Sequence, residues 1–225
     1  MELWDYTALE LGGLIQKGEV SPTQAAKAAL ARMGAEQGKN NAFVTTLDEE
    51  TVLKQAAEVE RRLAAGEALS PLAGVPMALK DNICTKGVKT TCASKILGDF
   101  TPPYDATAAG KLKAAGGVLL GKLNMDEFAM GSTSETSYYG PTRNPWDLDR
   151  APSLDQMGPL ARSAADCAAV LDLMAGRDRR DGTSLDAQWG GLARSLTGDL
   201  RGMRVGLPAD CFGDGLEYEV RASVL

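Results

Sequence analysis

An apolar run, PLAGVPMALKDNI, dictates more about the fold than any other part of the sequence, and it covers Pro71 to Ile83. Glycine and proline bound the run and charged residues lie near its end, which is typical of a buried strand whose tip emerges at a functional site. Residues 105–115 then have a helical pattern, and Gly116 and Gly117 lead into the strand-like segment Val118 to Leu120. Strand, helix and strand in succession predict a parallel pair with a right-handed crossover, and therefore an α/β fold class.

Caps and apolar spacing predict further helices around this pair. Thr7 with Glu10 forms a capping box, and Ser21 followed by Pro22 is a strong helix start. The helices are predicted at 7–18, 21–34, 48–66, 163–174 and 216–225, and further strands at 42–46 and 203–207. The segment 131–150 is rich in Ser, Thr, Gly, Pro and Asn, so we expect a loop long enough to carry function.

Composition excludes several kinds of chemistry. The 225 residues contain no histidine, so this chain cannot use Ser-His-Asp or Cys-His catalysis or a histidine zinc site. A net charge of −6 disfavours a surface that holds polyphosphate by charge alone, so a partner would hold any nucleic acid. Four cysteines without Cys-x-x-Cys spacing suit a reduced compartment. The acidic start and the absence of a long apolar run favour a cytoplasmic protein.

One segment matches a phosphate-binding pattern, but its context argues against a phosphate-binding loop. Residues 116–122 match G-x-x-x-x-G-K, but Leu123 replaces the Ser or Thr that would bind magnesium, and the helix precedes the strand. We therefore predict a core strand that ends in a solvated lysine, Lys122.

Lys80 is the stronger candidate for chemistry. It follows an almost uninterrupted apolar run, so part of its side chain should be desolvated, which lowers the pKa of a lysine toward that of a useful base. Two interpretations stay open from the residues alone, a base or a solvated surface group, and the neighbouring Asp81 favours the protonated form.

The segment 131–135, Gly-Ser-Thr-Ser-Glu, allows two interpretations as well. Its hydroxyl groups could act as nucleophiles, or they could serve the turn and capping contacts that are usual for short Ser/Thr loops. Asp126, Glu127 and Glu135 have no spacing that indicates a metal site or an acid/base pair, and we expect them to be solvated.

Three long segments resemble the amidase signature family. They are PLAGVPMALKDNICTKG (71–87), LLGKLNMDEFAMGSTSETSYYGPTRNPWDLDR (119–150) and SLDQMGPLARSAADCA (153–168). The resemblance runs from Leu3 to the last residue. The long form of the loop from Met125 to Arg150 is similar to one branch of the family, the A subunits of glutamyl-tRNA(Gln) amidotransferases, rather than to plain amidases.

The resemblance implies a fold and a site. The fold would be a mixed, largely parallel central sheet covered by helices, in a single domain over residues 1–225 that is incomplete in this chain. The site would use a Ser-Ser-Lys triad, in which a lysine base acts with a bridging serine and a nucleophilic serine. Lys80 matches the family's lysine, and Met130 and Gly131 match its substrate-lining loop. No metal or cofactor is implied for the chain itself.

The resemblance also implies a reaction and partners. A serine would attack the side-chain amide of glutamine, and the released ammonia would pass to a partner that converts Glu-tRNA(Gln) with ATP and Mg²⁺. The implied partners are the amidotransferase B and C subunits, and we expect the tRNA to be held mainly by them. The absence of histidine agrees with acyl transfer by a lysine base.

One departure from the family matters for activity. The glycine- and serine-rich segment that carries both serines is missing between Arg150 and Ser153, and the later part of the family's chain is missing after Leu225. Either the protein lacks this segment, or the sequence omits residues that the protein contains. We favour the second, because loss of central strands would expose the apolar neighbours of residues 75–79. The chain as written is expected to be inactive, and the alternatives are a stand-alone amidase or a fragment that only binds partner subunits.

Overall fold

The computed structural model describes residues 2–149, 157–186 and 190–225. The chain divides into two compact units, Met1–Ser195 and Leu196–Leu225. In the first unit the helices are α1 (Ala8–Gln16), α2 (Pro22–Asn40), α3 (Glu49–Ala64), α4 (Thr107–Ala114), α5 (Ala164–Met174) and α6 (Leu192–Ser195), and the strands are β1 (Phe43–Thr46), β2 (Pro76–Lys80) and β3 (Val118–Leu123).

The sheet of the first unit has the strand order β1-β3-β2. β2 pairs with β3 in parallel, as predicted from the strand, helix and strand pattern. β1 pairs with β3 antiparallel, so the described sheet is mixed rather than largely parallel. β2 lies at the edge of the described sheet, and for this reason it is half-buried, with only Leu79 fully buried, where a buried strand was expected.

Helices pack on both faces of the sheet because successive β3 side chains point to opposite sides. Val118 and Leu120 join the core formed with α2 and α3, which includes Val52 and Ala56. Leu119 points to the other face, where it packs with Leu79 on β2 and with Ala109 and Leu112 on α4. The sheet thus separates two apolar clusters.

The predicted helix starts are confirmed by their caps. The Oγ1 atom of Thr7 accepts from Glu10 N (3.3 Å) and Thr7 N donates to the Glu10 carboxylate (2.8 Å). Ser21 makes the same box with the third residue of α2. α2 passes through Gly34, where an end was predicted, and stops at Asn41 in the left-handed conformation (φ 50°). Packing of its apolar face against the α3 core outweighs the roughly 1 kcal/mol cost of a helical glycine.

The second unit, Leu196–Leu225, contains the short helix α7 (Tyr218–Val224), which agrees with the predicted terminal helix. The predicted strand at 203–207 is wrong: this segment is irregular, and Met203 and Val205 are exposed. A strand needs a neighbour to satisfy its main chain, and the described residues of this unit contain no other strand. Among all described residues, no helix is long and apolar enough to cross a membrane.

A side chain replaces a strand neighbour beside β3. Leu47, just after β1, still donates its amide to Leu120 O (2.9 Å), but the chain then turns into α3. At the preceding residue of β3, the Gln55 side chain accepts from Leu119 N and donates to Leu119 O, both at 3.1 Å. The Gln55 amide therefore satisfies main-chain groups that β1 no longer reaches.

Replacement of this amide should destabilise the first unit. Gln55→Ala leaves the amide and carbonyl of Leu119 without these partners, and we expect the free energy of unfolding to fall by about 3 kcal/mol. Urea denaturation followed by circular dichroism measures the change. The matched control is Lys54→Ala on the exposed face of the same helix, for which we expect a change within about 0.5 kcal/mol. Equal losses in the two variants would contradict the role given to Gln55.

Candidate active site

Lys80 lies at the carboxyl edge of the parallel pair, which is where open α/β sheets place their ligands. It is the last residue of β2, and its register partner on β3 is Leu123. The pairing continues by one hydrogen bond, from Asp81 N to Leu123 O (3.0 Å). A turn follows at once, in which Ile83 N donates to Lys80 O (3.0 Å). Lys80 is half-buried at this strand tip, as the apolar run predicted.

Lys122 is fully buried, with 0% of its surface exposed, so the prediction of a solvated lysine is wrong. The segment that follows Lys80 folds over it and supplies acceptors. The Nζ atom of Lys122 donates to Ile83 O and to the hydroxyl oxygens of Thr85 and Thr90, the latter two at 3.1 Å. The residues before it belong to β3, which agrees with a core strand rather than a phosphate loop.

The acceptors around Lys122 require a donor at each position. The Thr85 hydroxyl donates its own proton to Ile83 O (2.9 Å), and the Thr90 hydroxyl donates to Val88 O (3.1 Å). Both hydroxyl oxygens can therefore only accept from Lys122, and Ile83 O is an acceptor by nature. A protonated ammonium, with three N–H groups, matches this arrangement.

Burial lowers the pKa of Lys122 to about 8, and the charge of Asp81 opposes that shift. The ammonium form therefore still predominates at pH 7, in agreement with its acceptors. Lys122 was missed by sequence reasoning because a lysine at a strand end is usually solvated.

Asp81 is the second buried charged group at this edge. Its Oδ2 atom accepts from Thr91 N (3.0 Å), the Thr91 hydroxyl (2.5 Å) and Ala93 N (3.1 Å). Burial raises the pKa of Asp81, and these hydrogen bonds together with Lys122 oppose the shift. Cys92 and Ala93 have positive φ values of 51° and 52°, so the carboxylate holds a strained stretch of main chain.

Asp126 is almost fully buried, although we expected it to be solvated. One carboxylate oxygen accepts from Thr133 N (3.0 Å) and Ser134 N (2.8 Å), and the other accepts from Thr136 N (3.2 Å) and the Thr136 hydroxyl (2.9 Å). The loop thus folds around the Asp126 carboxylate. The other expected solvated acids differ, because Glu127 accepts from the Ser94 hydroxyl (2.5 Å) whereas Glu135 is exposed.

Gly131 lies against that carboxylate. A Cβ atom at Gly131 would be 2.4 Å from Asp126 Cγ and 2.6–2.7 Å from its two oxygens, so only glycine fits without a shift. The neighbouring Met130 is 74% exposed. These two residues, which the family resemblance assigns to the substrate, therefore form the surface of a loop that is anchored from inside.

Main-chain hydrogen bonds connect this loop to the segment beside Lys80. Phe128 N donates to Cys92 O (3.0 Å), and Tyr138 N donates to Ala93 O (2.9 Å). Cys92 N in turn donates to Asp81 O (3.1 Å). The residues after Lys80 and the loop that carries Met130 and Gly131 are thus attached to the same short stretch of chain.

The hydroxyl groups of the loop serve its structure where contacts are described. Ser134 is buried, has a positive φ of 59°, and its hydroxyl accepts from Thr142 N (2.8 Å). This agrees with the turn and capping interpretation for Ser134. In the described part of the chain, no three metal-ligating side chains form a group that could hold a metal ion.

The comparison with protein families identifies the class. The family described as Amidase matches this chain over residues 24–153 and 149–225. The chain belongs to this family, as its three motifs indicated.

Comparison with individual proteins shows which members of the family this chain resembles. The chain is 40% identical over 282 residues to the A subunit of the glutamyl-tRNA(Gln) amidotransferase of Agathobacter rectalis, covering 100% of this chain and 56% of that protein. It is 41% identical over 281 residues to the protein of the same name from Moorella thermoacetica, covering 100% and 58%. The chain therefore spans just over half the length of these relatives.

Solved structures share the fold. A structure described as a vestigial protein complex that reveals the evolutionary origins of an s-triazine catabolic enzyme superposes with a TM-score of 0.81 at 30% identity, covering 88% of this chain and 56% of that one. The peptide amidase bound to chymostatin superposes with a TM-score of 0.68 at 26% identity, covering 85% of this chain and 50% of that one. The A subunit of the Thermotoga maritima glutamyl-tRNA(Gln) amidotransferase superposes with a TM-score of 0.63 at 24% identity, covering 84% of this chain and 49% of that one. At this identity the likeness supports the fold alone.

The contact at Gly131 predicts a local effect of Gly131→Ala. The added Cβ would displace the Asp126 carboxylate, so we expect the amides of Thr133 and Ser134 to exchange with solvent at least tenfold faster, while the core amides stay protected. Hydrogen exchange followed by NMR measures both. Gly158→Ala, where a Cβ meets no atom within 4 Å, is the matched control and should leave these amides unchanged. Unchanged exchange in Gly131→Ala would show that the loop does not depend on this contact.

Lys122 also predicts how stability depends on pH. Its pKa is about 8 in the folded state and 10.5 when unperturbed, so between these pH values the unfolded chain binds more protons. The free energy of unfolding should therefore increase as the pH rises from 8 to 10.5, by about 3 kcal/mol from this group, and the cost of burying the charge is fully present below pH 8.

Comparison with Lys122→Met isolates this contribution from other groups that titrate in the same range. Urea unfolding at several pH values from 7 to 10.5 gives two curves of stability against pH. We expect their difference to change between pH 8 and 10.5 and to be constant below pH 8. Parallel curves over the whole range would contradict a lowered pKa at Lys122.

Proposed function

We propose that this chain is the lysine-bearing part of a glutamine-hydrolysing amidase, the A subunit of a tRNA-dependent amidotransferase. The observation that carries the proposal is the position of Lys80 at the carboxyl edge of the parallel pair, half-buried and within the family's motif. Lys122, by contrast, is fully buried and directs its three donors at Ile83 O and at the buried hydroxyl groups of Thr85 and Thr90, so none of them is available to a substrate.

In the proposed reaction the Lys80 amine acts as the base that accepts a proton through a bridging serine, and a second serine attacks the side-chain carbonyl carbon of glutamine. The C–N bond breaks, the nitrogen takes up a proton and leaves as ammonia, and water then hydrolyses the glutamyl ester to glutamate and free serine. Both serines belong to the segment that is missing between Arg150 and Ser153. The reaction therefore requires that segment.

Met130 and Gly131 are proposed to line the substrate. Their support is the loop that the buried Asp126 carboxylate holds and that is attached to the segment beside Lys80. A binding surface on a loop that is anchored from inside keeps its shape before the substrate arrives, which reduces the entropic cost of binding.

The proposed partners are the amidotransferase B and C subunits. The similarity to the A subunits of two amidotransferases, at 40% and 41% identity over the whole chain, supports this assignment. In the proposed division of labour the partners hold Glu-tRNA(Gln) and use ATP and Mg²⁺, and this chain supplies ammonia. The net charge of −6 supports the placement of tRNA on a partner.

A stand-alone amidase is the second candidate. The structures with TM-scores of 0.81 and 0.68 that are 30% and 26% identical to this chain are not described as amidotransferase subunits. Such an enzyme would hydrolyse a small amide without tRNA, ATP or partner subunits. The third alternative, an inactive fragment, would bind partner subunits without hydrolysing any amide.

The missing segment decides whether this chain is active. Two features support its loss from the middle of the sequence. The two ranges that match the family overlap at residues 149–153, and the alignments to the relatives extend over 281–282 positions, more than the 225 residues of this chain. The junction itself lies outside the described residues. Peptide mapping by mass spectrometry of the protein purified from its natural source tests the point, because peptides that place further residues between Arg150 and Ser153 would mean that the segment exists.

Ammonia release from glutamine tests the proposed function. The protein is assayed alone and together with the B and C subunits of Moorella thermoacetica, Glu-tRNA(Gln), ATP and Mg²⁺. If the segment is present, we expect hydrolysis that the partners stimulate, and Lys80→Met should reduce it by at least about 100-fold while assembly is unchanged. Lys89→Met, which removes an exposed lysine paired with Asp99, is the matched control and should retain activity.

Each alternative predicts a different result in this assay. Hydrolysis of simple amides that is indifferent to partners and tRNA would favour the stand-alone amidase. Binding of the partners without any hydrolysis, from a protein that lacks the segment, would favour the inactive fragment. Full activity in Lys80→Met would remove Lys80 from the mechanism.

A further inference from the structure

We propose that Lys122 is the positioning residue for Lys80: its buried ammonium group fixes the turn that follows Lys80 and thereby the direction in which the Lys80 side chain leaves the sheet edge. The role of Lys80 as a base rests on the proposed function. The contacts that hold the turn are independent of the proposed function.

The turn from Lys80 to Ile83 is held at both ends by β3. At its start, Asp81 N donates to Leu123 O (3.0 Å). At its end, Ile83 O accepts from the Nζ atom of Lys122, one residue earlier on β3. Between these points Ile83 N closes the turn on Lys80 O (3.0 Å). The main chain of Lys80 is therefore tied to β3 by a main-chain bond on one side and by the Lys122 side chain on the other.

Lys122 also holds the chain beyond the turn. Thr85 and Thr90 come from a segment without helix or strand, and both are buried against the ammonium group. A loop has no regular ladder of its own, so its position depends on such individual contacts. Loss of the ammonium would leave three acceptors without this donor. The stretch from Ile83 to Thr90 would then be held only by its remaining contacts, such as Gly87 N to Pro102 O (3.1 Å) and Thr90 N to Phe100 O (3.0 Å).

Asp81 holds the turn from the opposite direction. Its carboxylate binds Thr91 and Ala93, whereas Lys122 binds the residues up to Thr90. The charged and titratable groups that act on the Lys122 ammonium are Asp81, Cys84, Cys92 and Lys113. Asp81 is the acid of this group, and the two opposite buried charges partly compensate each other and enclose the turn.

The test uses the purified protein and needs no substrate. Lysine labelled with ¹³C at the ε carbon gives an NMR signal for each residue, and a held side chain has two inequivalent ε protons. We expect inequivalent protons for Lys80 in the unaltered protein and a single averaged signal in Lys122→Met. The amide of Ile83 should exchange at least tenfold faster in that variant, relative to core amides.

Two variants separate positioning from general destabilisation. Lys111→Met removes a lysine that donates to Met174 O (2.8 Å) and Ala175 O (2.9 Å), away from the turn, and should leave the Lys80 signal unchanged. Lys122→Arg keeps a charged donor and should restore at least part of the inequivalence. A folded Lys122→Met protein with an unchanged Lys80 signal would overturn the proposal, and so would an equal loss in Lys111→Met.

A milder change keeps the proposal testable if Lys122→Met does not fold. Thr90→Val replaces one acceptor with a side chain of the same shape, and we expect partial averaging of the Lys80 signal and a smaller increase in Ile83 exchange. No change in a folded Thr90→Val protein would then overturn the proposal. These outcomes do not depend on ammonia release, so a failed glutaminase assay with an averaged Lys80 signal would reject the proposed function alone.

Discussion

The parallel pairing of β2 with β3 is the constraint on which the rest of the first unit depends. It places the ends of the two strands side by side, so that Lys80 and Lys122 come to one edge from positions far apart in the sequence. It also directs alternate β3 side chains into two apolar clusters, one under α2 and α3 and one under α4. Hydrophobic burial on both faces makes the pairing rigid, and the site is built on this rigid base.

Beyond the sheet edge, buried charged side chains replace secondary structure as the organising element. Lys122 holds residues 83–90, Asp81 holds residues 91–93, and Asp126 holds residues 133–136. Removal of a charge from water costs several kcal/mol, which only a nearly complete set of hydrogen bonds can offset. The loops supply those hydrogen bonds to Lys122 and to both oxygens of Asp126 from their main chain and hydroxyl groups. Asp81 receives them at Oδ2, whereas its Oδ1 atom is buried without a hydrogen-bond partner.

Local signals predicted most of the helices and the parallel pair. Thr7 and Ser21 cap their helices through contacts with residues three positions away, and such short-range interactions can be read from the sequence. The end of α2 and the strand at 203–207 were predicted wrongly, because both depend on what packs beside them. Gly34 stays helical within a packed helix, and residues 203–207 have no described strand beside them in their unit.

The candidate site, too, was predictable from the sequence only in part. The sequence by itself determined the family, the position of Lys80 at a strand tip and the absence of histidine chemistry, because motif order, apolar runs and composition are properties of the linear chain. Only the tertiary structure decided that Lys122 and Asp126 are buried and that Gly131 lies against a carboxylate. Burial of a charge depends on acceptors and donors contributed by distant segments, and no local pattern states which segments will meet.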